Sequence, residues 1–137
     1  MTEAETFTGG CLCGALRYVA RGRPTGMGLC YCADCRKASG SGFIPFMNFP
    51  AEAIVFTGKV LTHRMAHADG REAVRNSCAL CGGLVFGGPL GQTDSHTIYA
   101  GSLDDPSRFR PAIAIYVRDA LPWTPIPPGL VRFDTMP

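Results

Sequence analysis

The seven cysteines constrain this chain more than any other feature, because they fall into three tight clusters. The clusters are Cys11-Leu12-Cys13, Cys30-Tyr31-Cys32-Ala33-Asp34-Cys35 and Cys78-Ala79-Leu80-Cys81-Gly82-Gly83. Two thiolates separated by two residues wrap one metal ion, since the backbone between them turns and points its N–H groups at sulfur. An odd number of cysteines argues against a disulfide framework. The clustering therefore predicts metal binding, with zinc preferred for an all-thiolate tetrahedral site.

The spacing alone leaves two divisions of the ligands open. One is a zinc ribbon made by Cys32, Cys35, Cys78 and Cys81, which uses only four of the thiols. The other is a closed four-thiolate site made by Cys11, Cys13, Cys78 and Cys81, which leaves a second set of Cys30, Cys32 and Cys35. A closed site is structural, whereas three protein ligands with an open position are typical of a reactive zinc. The second division uses every cysteine.

The rest of the sequence predicts a mainly β fold of antiparallel strands with little helix. Its 17 glycines and 11 prolines favour short strands joined by turns. Strands are predicted at Ala15–Ala20, Gly42–Phe49, Ala53–Thr57, Val60–Ala66, Leu84–Phe86, Thr97–Ala100 and Ala112–Val117. One helix is predicted over Ala33–Ser39, before Gly40, and a capped turn at Asp104-Asp105-Pro106-Ser107.

Two connecting segments have distinct signatures. Asp69-Gly70 predicts a hairpin turn between two antiparallel strands, since glycine supplies the positive φ of a tight connection. The segment from Leu121 to Gly129 is too rich in proline for a central strand. Its apolar Trp123 and Ile126 predict an ordered extended strap packed over a sheet.

Length and charge exclude several classes of protein. The 137 residues predict a single domain over residues 1–137. A net charge of +2, without a run of basic residues, does not predict nucleic-acid binding. No apolar run is long enough to span a membrane. The acidic, polar start is unlike a secretory signal, so a cytoplasmic location with reduced thiols is expected.

Several segments together resemble the glutathione-dependent formaldehyde-activating enzyme family, which also contains centromere protein V. The segments are 10–18, 30–40, 75–82 and 100–106, followed by Pro122-Trp123 and Pro128-Gly129-Leu130. The resemblance spans nearly the whole chain, and it implies a small zinc-bound fold of the beta-tent type. It also implies two zinc ions per chain, a structural one on Cys11, Cys13, Cys78 and Cys81 and a catalytic one on Cys30, Cys32 and Cys35.

The activity that this resemblance implies is addition of the glutathione thiol to formaldehyde, which makes the protein a carbon–sulfur lyase similar to S-(hydroxymethyl)glutathione synthase. Glutathione is then the co-substrate, and a small aldehyde is the partner. Three thiolates on Zn²⁺ make it a weak Lewis acid that prefers a soft ligand. A substrate thiol entering the open position would lose its proton and attack the carbonyl, with the cysteines as ligands and not nucleophiles.

Other polar residues are weaker candidates. Arg36 and Lys37 directly follow the second cluster, where they either pair with glutathione carboxylates, offset the thiolate charge or form a solvated surface pair. His63 and His67 lie four residues apart and favour two exposed strand positions over a further metal site. His96 has no partner nearby in sequence. Either His63 or His96 remains a candidate fourth ligand of the three-cysteine site.

The acidic candidates have simple structural interpretations. Asp34 lies between two ligands, where it either orients a neighbouring group or caps the short helix. Asp104 and Asp105 precede Pro106 and are interpreted as turn residues, not as a paired acid and base.

Two other functions compete with the enzyme. One is a non-catalytic zinc protein that holds glutathione or a related thiol on the second zinc. The other is an interaction module in which both metals only stabilise a small fold, as small domains often require.

Overall fold

The computed structural model describes residues 5–67 and 70–137, which form two β-sheets and one helix. A three-stranded sheet has the order β1-β2-β5, with β1 at Thr6–Gly10, β2 at Arg17–Arg21 and β5 at Ile54–Thr57. The eight other strands are β3 Gly26–Cys30, β4 Ile44–Pro50, β6 Val60–Ala66, β7 Glu72–Cys78, β8 Leu84–Gly87, β9 Ser95–Tyr99, β10 Ile113–Ile115 and β11 Val131–Arg132. They form one sheet in the order β11-β10-β3-β4-β9-β8-β7-β6. The predicted mainly β architecture is confirmed.

The single helix of the described residues, α1, runs over Ala33–Ser39 and matches the sequence prediction at both ends. Its C-cap is Gly40, whose φ of 71° is the left-handed conformation that ends a helix. Its N-cap is Cys32, whose Sγ accepts a hydrogen bond from the Cys35 N–H. The interpretation of Asp34 as the cap is therefore wrong, because the preceding cysteine already occupies that position.

The glycine-rich strands β1 and β3 were not predicted from the sequence. Glycine has low β-propensity, so segments such as Gly26-Met27-Gly28-Leu29-Cys30 do not read as strands. The structure shows why glycine is needed at Gly28. A Cβ there would lie 2.7 Å from both Phe46 Cζ and Ile113 Cγ1, on the two neighbouring strands. Close packing across the sheet overrides propensity at this position.

Most strand pairs are antiparallel, as predicted, but β10 is an exception. It pairs in parallel with β3 on one side and with β11 on the other. Parallel neighbours require a long crossover connection. Most of the chain lies between β3 and β10, and that distance along the sequence supplies the connection.

The main core lies between the two sheets. The three-stranded sheet contributes Phe7 and Tyr18, and the eight-stranded sheet contributes Met47, Phe86 and Ile98. The predicted strap from Leu121 to Gly129 is ordered, since Ile126 packs against a second cluster and the Tyr31 hydroxyl donates to the Pro125 carbonyl at 3.4 Å. Trp123 was expected to pack with it, but it is 66% exposed, and the neighbouring Thr124 is the residue that is buried, beside Gly42.

The remaining local predictions have mixed outcomes. Strands β6 and β7 pair antiparallel as expected, although Asp69 of the predicted turn lies outside the described residues. Asp105 caps the short turn Pro106–Arg108 by accepting from the Ser107 N–H, as predicted. Within the described ranges no helix is long and apolar enough to cross a membrane.

Asn76 is a fully buried polar residue in the core and leads to a prediction about stability. Its amide Nδ2 donates to the carbonyls of Phe86 at 3.3 Å and Gly88 at 2.9 Å, and its Oδ1 accepts from Thr62 Oγ1 at 2.8 Å. Asn76→Leu is expected to lower the free energy of unfolding by about 2 to 4 kcal/mol, because it removes three hydrogen bonds, one of them to the buried Phe86 carbonyl.

Urea denaturation of the metal-loaded protein measures this effect. Thr62→Val is the matched control, since it removes only one of the three hydrogen bonds and should cost about 1 kcal/mol. Equal stability of Asn76→Leu and the wild-type protein would show that the network is not stabilising.

Candidate metal centres and the adjoining cavities

The first site is a closed group of four thiols. Cys11 and Cys13 follow β1, Cys78 ends β7, and Cys81 lies in the turn before β8. Their sulfur atoms all lie within 4.8 Å of one another. Cys11 Sγ is 3.6 Å from Cys13 Sγ, which is 3.7 Å from Cys78 Sγ. A tetrahedral zinc with Zn–S bonds of about 2.3 Å requires sulfur atoms about 3.8 Å apart, so these residues fit that ion.

Backbone N–H groups surround the sulfurs of this group. Leu16 N–H donates to Cys11 Sγ at 3.3 Å, and the N–H groups of Leu80 and Cys81 donate to Cys78 Sγ at 3.3 and 3.4 Å. The hydrogen bond from Leu16 lowers the pKa of the Cys11 thiol to about 6. Donors of this kind stabilise thiolates, which are the form that binds metal. The loop geometry is therefore arranged for metal binding.

The second site is a group of three thiols at the other end of the cysteine pattern. Cys30 ends β3, Cys32 caps α1, and Cys35 lies in its first turn. Their sulfur atoms also lie within 4.8 Å of one another, and in residues 5–67 and 70–137 no histidine or carboxylate completes the group. The zinc-ribbon division is therefore wrong, and the four-plus-three division is the one that the fold brings together.

Mutual hydrogen bonds distribute charge unequally among the three thiols. Donation from Cys30 and then from Cys35 lowers the pKa of the Cys32 thiol to about 2. The same contact with Cys32 raises the pKa of Cys30, and burial adds to that effect. Arg75 Nη2 donates to Cys35 Sγ at 3.9 Å. A cationic, partly buried guanidinium beside clustered thiols stabilises negative charge there.

Two cavities meet at the three-cysteine group. Both are lined by Cys30, Cys35, Arg75, Ile115 and Met136. The first, which we call the polar cavity, has a volume of about 440 Å³ and is also lined by the ionisable side chains of Asp34, His67, Arg71, Arg118 and Asp119. The second, the apolar cavity, has a volume of about 320 Å³ and extends over Ile44, Phe46, Tyr99 and Ile113. Ligands of two chemical types thus have access to the same cysteines.

The two basic residues predicted from the sequence lie beside these cavities. Arg36 is half-buried, and its Nε is buried without a hydrogen-bond partner. Lys37 is exposed and lines a small depression of about 220 Å³ that also includes His67 and Arg75. Pairing of Arg36 or Lys37 with glutathione carboxylates stays a prediction.

The histidines have three different environments. His63 is exposed on β6, as expected. His67 Nδ1 contacts Asp34 Oδ2 at the rim of the polar cavity, so Asp34 orients a neighbouring side chain as one interpretation predicted. His96 is buried, and its Nδ1 lies 3.0 Å from the Gly87 carbonyl oxygen. Neither His63 nor His96 belongs to the three-thiol group.

Asp104 does more than shape a turn. Its carboxylate accepts from Arg17 Nη1 at 2.8 Å and from Thr8 Oγ1 at 2.8 Å, and these bonds, with Arg17 first, lower its pKa to about 2. The pair ties the loop after β9 to the three-stranded sheet. Asp104 and Asp105 make separate contacts, so they are not a paired acid and base.

Sequence reasoning missed the arginines and tyrosines of the cavities. Arg75 and Tyr99 come from β7 and β9, which the fold brings to one side of the sheet. Tyr116 has a φ of 54°, the one left-handed non-glycine residue in the described chain, and its hydroxyl accepts from Arg71 Nη2 at 2.6 Å. A non-glycine residue in this region stores strain that typically marks a functional site. No local sequence signal pointed to any of these residues.

The fold defines a small, mainly β protein with two cysteine groups, of four and of three thiols, that could hold metal ions. Within that class, the chain belongs to the glutathione-dependent formaldehyde-activating enzyme family, whose family model matches residues 6–119. The resemblance seen in the sequence is thereby confirmed. Among curated proteins no match is found.

Proposed function

We propose that this protein adds the thiol of glutathione, or of a similar compound, to formaldehyde or another small aldehyde at the three-cysteine group. The observation that carries this proposal is the convergence of Cys30, Cys32 and Cys35 between a polar and an apolar cavity. Membership of the family supports it independently. In the reverse direction the reaction is that of a carbon–sulfur lyase. We propose that one domain over residues 1–137 carries it.

Both metals are proposed to be zinc, one in each cysteine group. Four thiolates close the coordination shell of the first ion, whose role is structural. Three thiolates leave one position of the second ion open, and a zinc so held supplies a soft Lewis acid that favours a thiolate ligand. Cys30, Cys32 and Cys35 then act as ligands only.

The surrounding residues hold the reactants and their charges. Arg75 offsets the negative charge of the thiolates from 3.9 Å away. Arg71 and Arg118 line the polar cavity, where they can pair with the carboxylates of glutathione. Desolvation raises the pKa of the half-buried Tyr99 to about 12, so its hydroxyl stays protonated and can donate a hydrogen bond at neutral pH. It lines the side on which the carbonyl oxygen would develop charge.

Exchange spectroscopy tests the proposal. The uncatalysed addition is reversible, so the rate of exchange between ¹³C-formaldehyde and S-hydroxymethylglutathione is measured by NMR with and without protein. We expect the exchange rate to rise in proportion to protein concentration and to be unchanged by an equal concentration of free zinc. Calorimetric binding of glutathione without faster exchange would reject the enzyme and favour the alternative function, a non-catalytic thiol-binding zinc protein.

A further inference from the structure

The floor of the apolar cavity is one face of the eight-stranded sheet. Alternate residues of the two strands that flank β3 line the cavity, namely Ile44 and Phe46 of β4 and Ile113 and Ile115 of β10. The opposite face of β4 carries Met47 and Phe49, which are buried in the main core. Ile44, Phe46 and Ile115 are themselves buried, and Phe46 and Ile115 form a third apolar cluster against which Phe133 packs. The apolar cavity opens beside this cluster, so a ligand that enters the cavity meets mainly apolar side chains.

Only a few polar side chains line the apolar cavity. Thr97 Oγ1 donates to Asn48 Oδ1 at 2.9 Å, so this hydroxyl and this amide oxygen are paired with each other. Tyr99 and Arg75 are the exceptions, and Arg75 also contacts Cys35 of the three-cysteine group. Hydrogen-bond donors are therefore found near the three-cysteine group, where a reacting carbonyl would lie, and mainly apolar side chains line the rest of the cavity.

The apolar cavity is much larger than formaldehyde requires, because the carbonyl carbon of formaldehyde carries only hydrogen atoms. An apolar cavity of about 150 Å³ is enough for a benzene ring. The cavity here is about 320 Å³. A hydrophobic chain of about six carbons would remove much of its lining from water, which favours binding.

The charged residues of the polar cavity favour binding of the other reactant, the thiol, in that cavity. The polar cavity carries three arginines, Arg71, Arg75 and Arg118, against the two carboxylates of Asp34 and Asp119. A thiol that bears carboxylates is therefore favoured in the polar cavity, which leaves the apolar cavity for the carbonyl compound.

We propose that the carbonyl substrate of this protein is an aldehyde with a hydrophobic substituent of about six carbons, which binds in the apolar cavity with its carbonyl toward the three-cysteine group. This inference rests on the proposed function and narrows its substrate class. The thiol proton is released to solvent, a C–S bond forms, and the π electron pair of C=O moves to oxygen. That oxygen takes up a proton, so the product is a thiohemiacetal and no oxidant or reductant is needed.

The test compares hexanal with formaldehyde in metal-loaded protein. We expect kcat/KM for hexanal to exceed that for formaldehyde by at least about tenfold. Ala73 lies on the same face of β7 as Arg75 and lines the apolar cavity. Ala73→Phe fills part of the cavity, so it should lower the hexanal-to-formaldehyde ratio by at least about tenfold. Val55→Phe is the matched control at an exposed strand position, and the ratio should not change.

Binding of hexanamide, an unreactive amide of the same chain length, separates this inference from the proposed function. Calorimetry should detect hexanamide binding to the wild-type protein and its loss in Ala73→Phe. Turnover of formaldehyde with no preference for hexanal, and with no effect of Ala73→Phe, overturns the inference while the proposed function stands. Absence of turnover with either aldehyde overturns the proposed function, and hexanamide binding still supports an apolar ligand. Failure of hexanamide to bind the wild-type protein overturns the inference.

Discussion

Replacing Cys78 by serine is expected to unfold the protein. Cys78 is 1% exposed, ends β7 and belongs to both the main core and the four-thiol group. A structural zinc contributes about 10 to 16 kcal/mol of apparent folding free energy. The net stability of a domain is only about 5 to 15 kcal/mol, so loss of this metal removes most or all of it. Far-ultraviolet circular dichroism and metal analysis by mass spectrometry measure the loss.

Leu80→Ala is the control for this variant, because Leu80 lies in the same turn but is 81% exposed and offers no ligand. It should retain both the wild-type spectrum and the wild-type metal content. A strong chelator added to the wild-type protein should reproduce the unfolding without any mutation. A Cys78→Ser protein that keeps the native spectrum and melts within a few degrees of the wild type would contradict a structural role for the metal.

Replacing Cys32 by serine is expected to abolish thiol binding and catalysis while the fold persists. The variant should lose the metal of the three-cysteine group, glutathione binding should fall by at least about 100-fold, and exchange should return to the uncatalysed rate. The fold should persist because a serine oxygen can accept the Cys35 N–H bond that starts α1, and serine is a favoured N-cap.

Metal content, calorimetric binding and thermal unfolding of Cys32→Ser are measured together. Ala38→Ser, at an exposed position of the same helix, is the matched control and should match the wild type in all three. Retained glutathione binding in Cys32→Ser would rule out the three-cysteine group as the thiol site. Collapse of the fold would instead show that this group, too, is structural.

The cysteine pattern predicted which residues are candidate metal ligands, but its spacing alone left two divisions of these ligands open. Metal coordination requires short loops with thiols at fixed spacing, so the spacing of Cys78 and Cys81 predicts a turn around an ion. Helix α1 was predictable for a similar reason, since its cap and its stop at Gly40 are local. Strand β3 was not, because the close contact of Gly28 with Phe46 is made by residues distant in sequence.

Residues around the open thiol group illustrate the same limit. Arg36 and Lys37 were selected for their proximity in sequence, whereas the guanidinium that contacts Cys35 is that of Arg75, forty positions away. The left-handed conformation of Tyr116 is likewise imposed by its surroundings, since tyrosine has no intrinsic preference for it. Trp123 was expected to be buried because it is apolar, yet it is exposed and the neighbouring Thr124 is buried instead.

The sequence by itself determined that seven thiols fall into clusters that could hold metal, that the chain is mainly β, and to which family it belongs. These properties depend on local spacing, on turn residues and on motif identity, all of which can be recognised in the sequence alone. Only the tertiary structure decided that the thiols divide four and three, and that a polar and an apolar cavity meet at the open group. Those features depend on strand order and on which face of each strand turns inward, and both are set by packing between residues far apart in the chain.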